Sequence, residues 1–275
     1  MLKRLPRLLS SLALALVLVA LLAGPLLLMA SDSDVQARDW RTASSDPVGW
    51  APDPDTYMPA VVQAYCAPAV SWRGAFGDHC WVAGKSEGAS AYRRYEVIGF
   101  RLRRNGTSLV ETETPTPDRE WYGSAPKLVQ DIRGAEAEKI IAALPAAVAA
   151  YPNAKTYRVW PGPNSNTFIA HVAREIPEFR LALPGKALGK DYLGWKMLAS
   201  APSGTGFQIS LGGLFGVLVA AKEGLEVNIL GLVIGASPMD LAITLPGVGR
   251  IPAKADWTGG AHAPAQVADD STPAP

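Results

Sequence analysis

The spacing of apolar and polar positions divides the chain into regions of different character. Leu8 to Ala30 holds no charged residue, and Lys3, Arg4 and Arg7 precede it. About two dozen apolar residues are enough to cross a bilayer and exceed an ordinary signal-peptide core. The basic flank places the N-terminal side in the cytoplasm and the rest of the chain outside the membrane. No small-x-small cleavage site precedes Ser31, and no Cys comes after the apolar run at its outer end. Residues 1–30 are therefore expected to be a cytoplasmic stub and transmembrane signal anchor, with a cleaved signal as the alternative.

Residues 31–58 are rich in Asp, Ser and Pro without apolar periodicity, which predicts a linker. Residues 255–275 are Ala, Gly, Pro and Asp in no pattern, which predicts a disordered tail. Between them, residues 59–254 read as one globular domain. Ala60 to Ala67 and Phe76 to Ala83 read as strands. Tyr95 to Arg104 and Thr107 to Thr112 flank Asn105-Gly106, the turn signal of a hairpin. Gly134 to Ala150 predicts a helix, with Glu136 and Glu138 in its first turn and a kink at Pro145. Tyr157 to Trp160 reads as a short strand. A second helix is expected over Thr167 to Ile176, where Ser165, Ile169, Val172 and Ile176 form one stripe of a 3.6-residue period. That stripe turns Ser165 toward the core.

Strand alternation returns in Phe207 to Leu211 and Leu225 to Ile229. Leu211 to Ala221 and Ile229 to Ile234 are Gly-rich and almost uninterruptedly apolar. They read first as buried strands and second as a face resting on lipid. The fold class expected is α+β: a mostly antiparallel sheet, two packed helices, and a β-rich C-terminal part.

Composition narrows the function classes. Lys and Arg number 26 against 25 Asp and Glu, a formal net charge of +1. The one basic cluster, Arg93 to Arg104, has no interleaved base-stacking motif, so no nucleic-acid partner is expected. Cys66 and Cys80 lie in adjacent predicted strands, where either a cross-strand disulfide or two buried thiols fits. No His/Cys cluster has metal spacing, and no cofactor is expected. His171 and Glu175 lack a third ligand. Gly185 to Asp191 is one residue short of a phosphate loop and ends in Asp where Ser or Thr must hold magnesium.

The candidate chemistry lies at Trp160-Pro161-Gly162-Pro163-Asn164-Ser165-Asn166-Thr167-Phe168. A hydroxyl at a helix N-terminus, with unpaired N–H groups around it, can serve as nucleophile if a His acts as its base. His79 is the strand His available, and Glu96 would orient it. Asn164 and Asn166 would donate to an oxyanion. Each residue also has a plain structural use. Ser165 reads as an N-cap, His79 as a half-buried strand His beside Trp81, Glu96 as a surface ion-pair partner beside Arg93 and Arg94, and the two Asn as turn residues.

Several phrases resemble an uncharacterised bacterial envelope family, domain-of-unknown-function family 3750, from Pro59 to Ile251. They are Ser71-Trp72-Arg73-Gly74-Ala75-Phe76, His79 with Trp81, Arg94-Tyr95-Glu96-Val97, Trp160 to Phe168, Ala201 to Gly206, and Leu245 to Arg250. The family brings no activity with it. A remoter resemblance is to circularly permuted NlpC-type papain-like proteins, in which a strand His precedes an Asn-Cys-Asn/x-x-Phe motif that opens a helix. Asn164 to Phe168 is similar to that motif, with Ser165 in the place of Cys. This likeness implies a permuted papain-like arrangement with Ser165 as nucleophile and His79 as base.

The expectation is a single-pass inner-membrane protein with its C-terminal domain in the periplasm. There it would attack an amide or ester through Ser165, with a lipid or peptidoglycan component as partner. The competing readings are a non-catalytic envelope binding or assembly module, and a lipid-contacting protein using Leu211 to Ile234.

Overall fold

A computed structural model describes residues 5–31 and 42–252. The predicted tail, 255–275, lies outside the described residues. The chain opens with α1 (Leu5–Ser31), which contains Pro25. Among the described residues no helix is long and apolar enough to cross a membrane.

The first sheet contains β1 (Val61–Pro68), β2 (Asp78–Lys85), β3 (Tyr92–Val97), β4 (Leu109–Thr114) and β5 (Lys127–Arg133), in the order β4-β3-β2-β1-β5. Every pairing in it is antiparallel. The predicted hairpin strands do pair, but not through a two-residue turn. Arg101–Asn105 forms a short helix, α2, and Gly106 caps it with φ 70°. Asn-Gly signals a residue in the left-handed region, and a helix C-cap needs one as much as a hairpin does.

The two faces of this sheet are covered differently. Residues alternate across it, so Cys66, Cys80, Val82 and Val97 face one side, whereas Tyr65, Trp81, Ala83 and Tyr92 face the other. On the first side lie α3 (Ala135–Ala149) and α4 (Ser165–Glu175), which contribute Ile140 and Leu144, and Phe168, Ile169 and Val172. Here α3 matches the predicted helix, running through Pro145. Tyr157 to Trp160 forms no strand.

The second side is closed by residues that read as linker in the sequence. Trp50 and Ala51 donate their backbone N–H groups to Asp118 Oδ2, and the Trp50 indole donates to the Pro126 carbonyl. The Tyr92 hydroxyl donates to the Pro52 carbonyl. The segment from Thr42 onward is thus part of the domain, because the aromatic face of the sheet needs a cover.

Cys66 and Cys80 stand directly opposite each other on β1 and β2, Cα atoms 4.1 Å apart, and are joined by a disulfide. This decides between the bridge and the two free thiols.

The second sheet is an antiparallel meander of seven strands in chain order. It comprises β6 (Leu198–Ser200), β7 (Gly206–Leu211), β8 (Phe215–Ala220), β9 (Gly224–Ile229), β10 (Leu232–Ser237), β11 (Ala242–Leu245) and β12 (Gly249–Ile251). Several contacts connect it to the first unit, those of α4 and the loop 184–191 among them. Arg174 of α4 donates to the Ser200 carbonyl and to Gln208 Oε1. The loop 184–191 sets Gly185 against Thr244 and Val233 so closely that a Cβ there would collide. The architecture is α+β, mostly antiparallel, with a β-rich C-terminal part.

Candidate functional site

Asn164 begins the site. Its backbone is extended, and its Oδ1 accepts from the N–H groups of Asn166 (3.0 Å) and Thr167 (3.1 Å). Thr167 Oγ1 in turn accepts from the Asn164 N–H, closing a capping box. The N-cap is therefore Asn164, and Ser165 is the first helical residue. Asn164 Nδ2 donates to the carbonyls of Val159 and Leu188, and Thr167 Oγ1 donates to that of Gly189. Asn166 Nδ2 donates to the carbonyls of Asp78 and Leu188. The two Asn residues clamp the helix start, the loop 188–189 and the beginning of β2 together. Their amide donors are occupied, and two N–H groups of the first turn already have an acceptor. The expected oxyanion donors are thus structural.

Ser165 is buried, as its stripe predicts. His79 is buried too, but it shares the face of Trp81 while α4 packs on the face of Cys80 and Val82. Ser165 makes no hydrogen bond to His79. The expected nucleophile–base pair is not assembled. It requires α4 and Trp81 on one face of β2, and strand alternation puts them on two.

His79 has other partners. Its ring stacks on Trp121, centroids 3.6 Å apart and 12° from parallel. Its Nε2–H donates to Glu96 Oε2 at 3.1 Å, as the orienting role of Glu96 requires. Glu96 also receives Arg94 Nε and Arg119 Nη2, each at 3.1 Å from Oε1. Glu96 is thus a buried partner of His79, Arg94 and Arg119, not the surface ion-pair partner expected, and Arg93 pairs with Glu111 instead. Burial works against its ionisation. The hydrogen bond and charge of His79, with Arg119 and Arg94, outweigh that and hold the carboxyl at about 2. For His79, burial is the dominant influence and lowers its pKa against the pull of Glu96, and both guanidinium groups add to the lowering. The consistent state at neutral pH is a neutral imidazole donating to a carboxylate held by two arginines. Arg119 and Trp121 give no sequence signal, because they lie in an aperiodic stretch.

A second buried polar group joins the loop 184–191 to the seven-stranded sheet. Lys190 Nζ donates to Glu226 Oε2 at 2.5 Å and to the Leu183 carbonyl. Asn228 Nδ2 donates to Asp191 Oδ2 and to the Gly213 carbonyl. Ser203 Oγ donates to Glu223 Oε2. The segment that falls short of a phosphate loop is therefore a structural strap. In the sequence, Glu226 and Asn228 show only as the polar positions of an alternating strand.

His171 is otherwise engaged: its Nε2–H donates to the Ala147 carbonyl. Among the described residues no group of His, Cys, Asp and Glu is arranged to hold a metal.

These features define a disulfide-tied α+β domain joined to an antiparallel meander, with the sequence motifs used as clamps. Residues 59–192 match the model of a family described as "Protein of unknown function (DUF3750)", but they are just under half of the chain. The match supports the family resemblance and ends before the second sheet, short of the Ile251 limit expected from sequence. No curated protein and no solved structure matches the chain.

Proposed function

We propose that the protein is a membrane-attached envelope module that binds or assembles and does not hydrolyse through Ser165. One observation carries this reading: Ser165 and His79 lie on opposite sides of the first sheet. Acyl transfer needs a base within hydrogen-bond reach of the hydroxyl, or one water away. The occupied amides of Asn164 and Asn166 support the same conclusion.

Attachment to the inner membrane, with the domain in the periplasm, is part of the proposal. It is supported by the uncharged run Leu8 to Ala30 behind Lys3, Arg4 and Arg7. The Cys66–Cys80 bridge fits an oxidising compartment.

A serine-reactive fluorophosphonate applied to the full-length protein tests the catalytic point. No labelling is expected, and Ser165→Ala should complement a deletion strain as well as wild type does. Labelling that disappears in Ser165→Ala would restore the hydrolase reading.

A further inference from the structure

The seven-stranded sheet is inside out. On β7, Phe207, Ile209 and Leu211 are exposed, while Gln208 and Ser210 between them are buried. On β9, Leu225 and Val227 are exposed, while Glu226 and Asn228 are buried. A half-buried sheet in water shows the reverse, apolar inward and polar outward. Slipping one strand by a single residue would invert it. The inward polar side chains oppose such a slip, because Glu226 is bound to Lys190, Asn228 to Asp191, and Gln208 to Arg174.

The register carries this pattern across the whole sheet. Phe207 pairs with Val219, Val219 with Leu225, and Leu225 with Ala236, which pairs in turn with Ile243. No outward position on the seven strands is charged, and Ser200 alone is polar. Eleven of the larger outward side chains, from Leu198 to Ile251, are between 37 % and 63 % exposed, whereas Ile229, Leu232, Ile234 and Leu245 are half-buried. A monomer in water rarely leaves more than roughly 300–600 Å² of contiguous apolar surface open.

The ends of the sheet differ as well. The turns at 212–214, 230–231 and 246–248 contain no charge, whereas those at the opposite end contain Lys222, Glu223 and Asp240. At the end with uncharged turns the Trp160 indole donates to the Leu230 carbonyl, and Trp195 is fully exposed beside the exposed Lys196. Tryptophan is characteristic of the bilayer interface. The same end meets α1: a Cβ added at Gly24 would strike the Pro246 carbonyl, and one at Gly247 would strike Pro25. That helix itself exposes Leu16, Val17, Leu18, Val19, Leu26 and Leu27.

We infer that the outward face of the seven-stranded sheet lies on the lipid bilayer, its uncharged end sunk among the acyl chains beside α1. This rests on the proposed reading of the whole uncharged run Leu8 to Ala30 as the membrane anchor, and not on the described residues of α1, which alone are not long and apolar enough to cross. The helix rise from Gly24 to Ser31 is about 10 Å, against roughly 15 Å for one leaflet's hydrocarbon. With Ser31 at the outer interface, the turn that touches Gly24 is therefore below the headgroups. An antiparallel sheet with apolar side chains outward and polar ones inward is the arrangement that suits lipid on one side.

The test uses full-length protein in vesicles of phosphatidylethanolamine and phosphatidylglycerol, with the native disulfide intact. An environment-sensitive fluorophore is attached in turn at Val217→Cys, at Lys222→Cys on the charged end, and at Leu16→Cys on α1. Lipids brominated in their acyl chains serve as quenchers. The inference expects blue-shifted, quenched emission at positions 217 and 16, and unquenched emission at 222. Quenching at 16 with water-like, unquenched emission at 217 overturns the sheet–lipid contact and leaves the anchor standing. Absence of quenching at 16 overturns the anchor itself. Blue-shifted emission at 217 that ignores the quencher and grows with protein density assigns the face to a second copy, and also overturns the inference.

Discussion

Lys190 and Glu226 form an ion pair with Nζ 2.5 Å from Oε2, and their side chains are only 1 % and 6 % exposed. The pair fixes the polar side of β9 against the loop that also holds the start of α4, so one contact links the two sheets. Removing one member leaves a charge buried without its partner, which typically costs about 3–5 kcal/mol. Glu226→Gln and Lys190→Met should each lose stability on that scale in urea denaturation. The double change to apolar residues of similar volume should recover much of it.

The capping box separates two neighbouring residues by their roles. Asn164→Ala removes the acceptor of two N–H groups and both loop bonds, so a loss of about 2 kcal/mol, the upper part of the range for N-caps, is expected. Ser165→Ala, which removes no cap, should leave the denaturation midpoint nearly unchanged. A large loss for Ser165→Ala alone would show that the cap had been assigned to the wrong residue.

Acid should reveal the Glu96 cluster. Folded Glu96 sits at about 2, below the roughly 4.3 of an unfolded glutamate. Its stabilisation is therefore fully present above about 4.3 and lost as the pH falls through about 2. His79 acts in the same direction at higher pH: its folded pKa is lowered, so the unfolded chain takes up the proton first as pH drops below about 6.5. Glu96→Gln should cost about 3–5 kcal/mol at pH 7. The difference between the variant and wild type should shrink between about pH 4 and about pH 2. Asp191 and Glu226, whose pKa values burial raises, are common to both proteins and cancel in that difference.

The disulfide closes a loop between residues 14 apart on β1 and β2. A loop of that size restricts the unfolded chain by about 3 kcal/mol. Cys66→Ala with Cys80→Ala should lower stability on that scale, and wild type measured in reductant should move toward the variant. Equal stability with and without reductant would show that the bridge is absent from the isolated protein.

Much of this architecture is legible in the chain because it is local. Ala-rich composition and first-turn acids locate α3, while periodicity locates α4, the orientation of Ser165 toward the core, and the alternating strands at Phe207 and Leu225. Adjacent strand signals place Cys66 near Cys80. Sequence alone does not decide the side of each surface, because alternation marks two faces without saying what covers them. Ser165 and His79 are both buried, yet only packing puts α4 on the Cys80 side and Trp121 on the other. Residues 42–58 look like a linker until the aromatic face of the first sheet requires a lid. The second sheet reverses the usual reading for the same reason. Its apolar positions are plain in the sequence, but the ion pair of Lys190 with Glu226 and the bond of Asn228 to Asp191 turn the polar positions inward and leave the apolar ones outside.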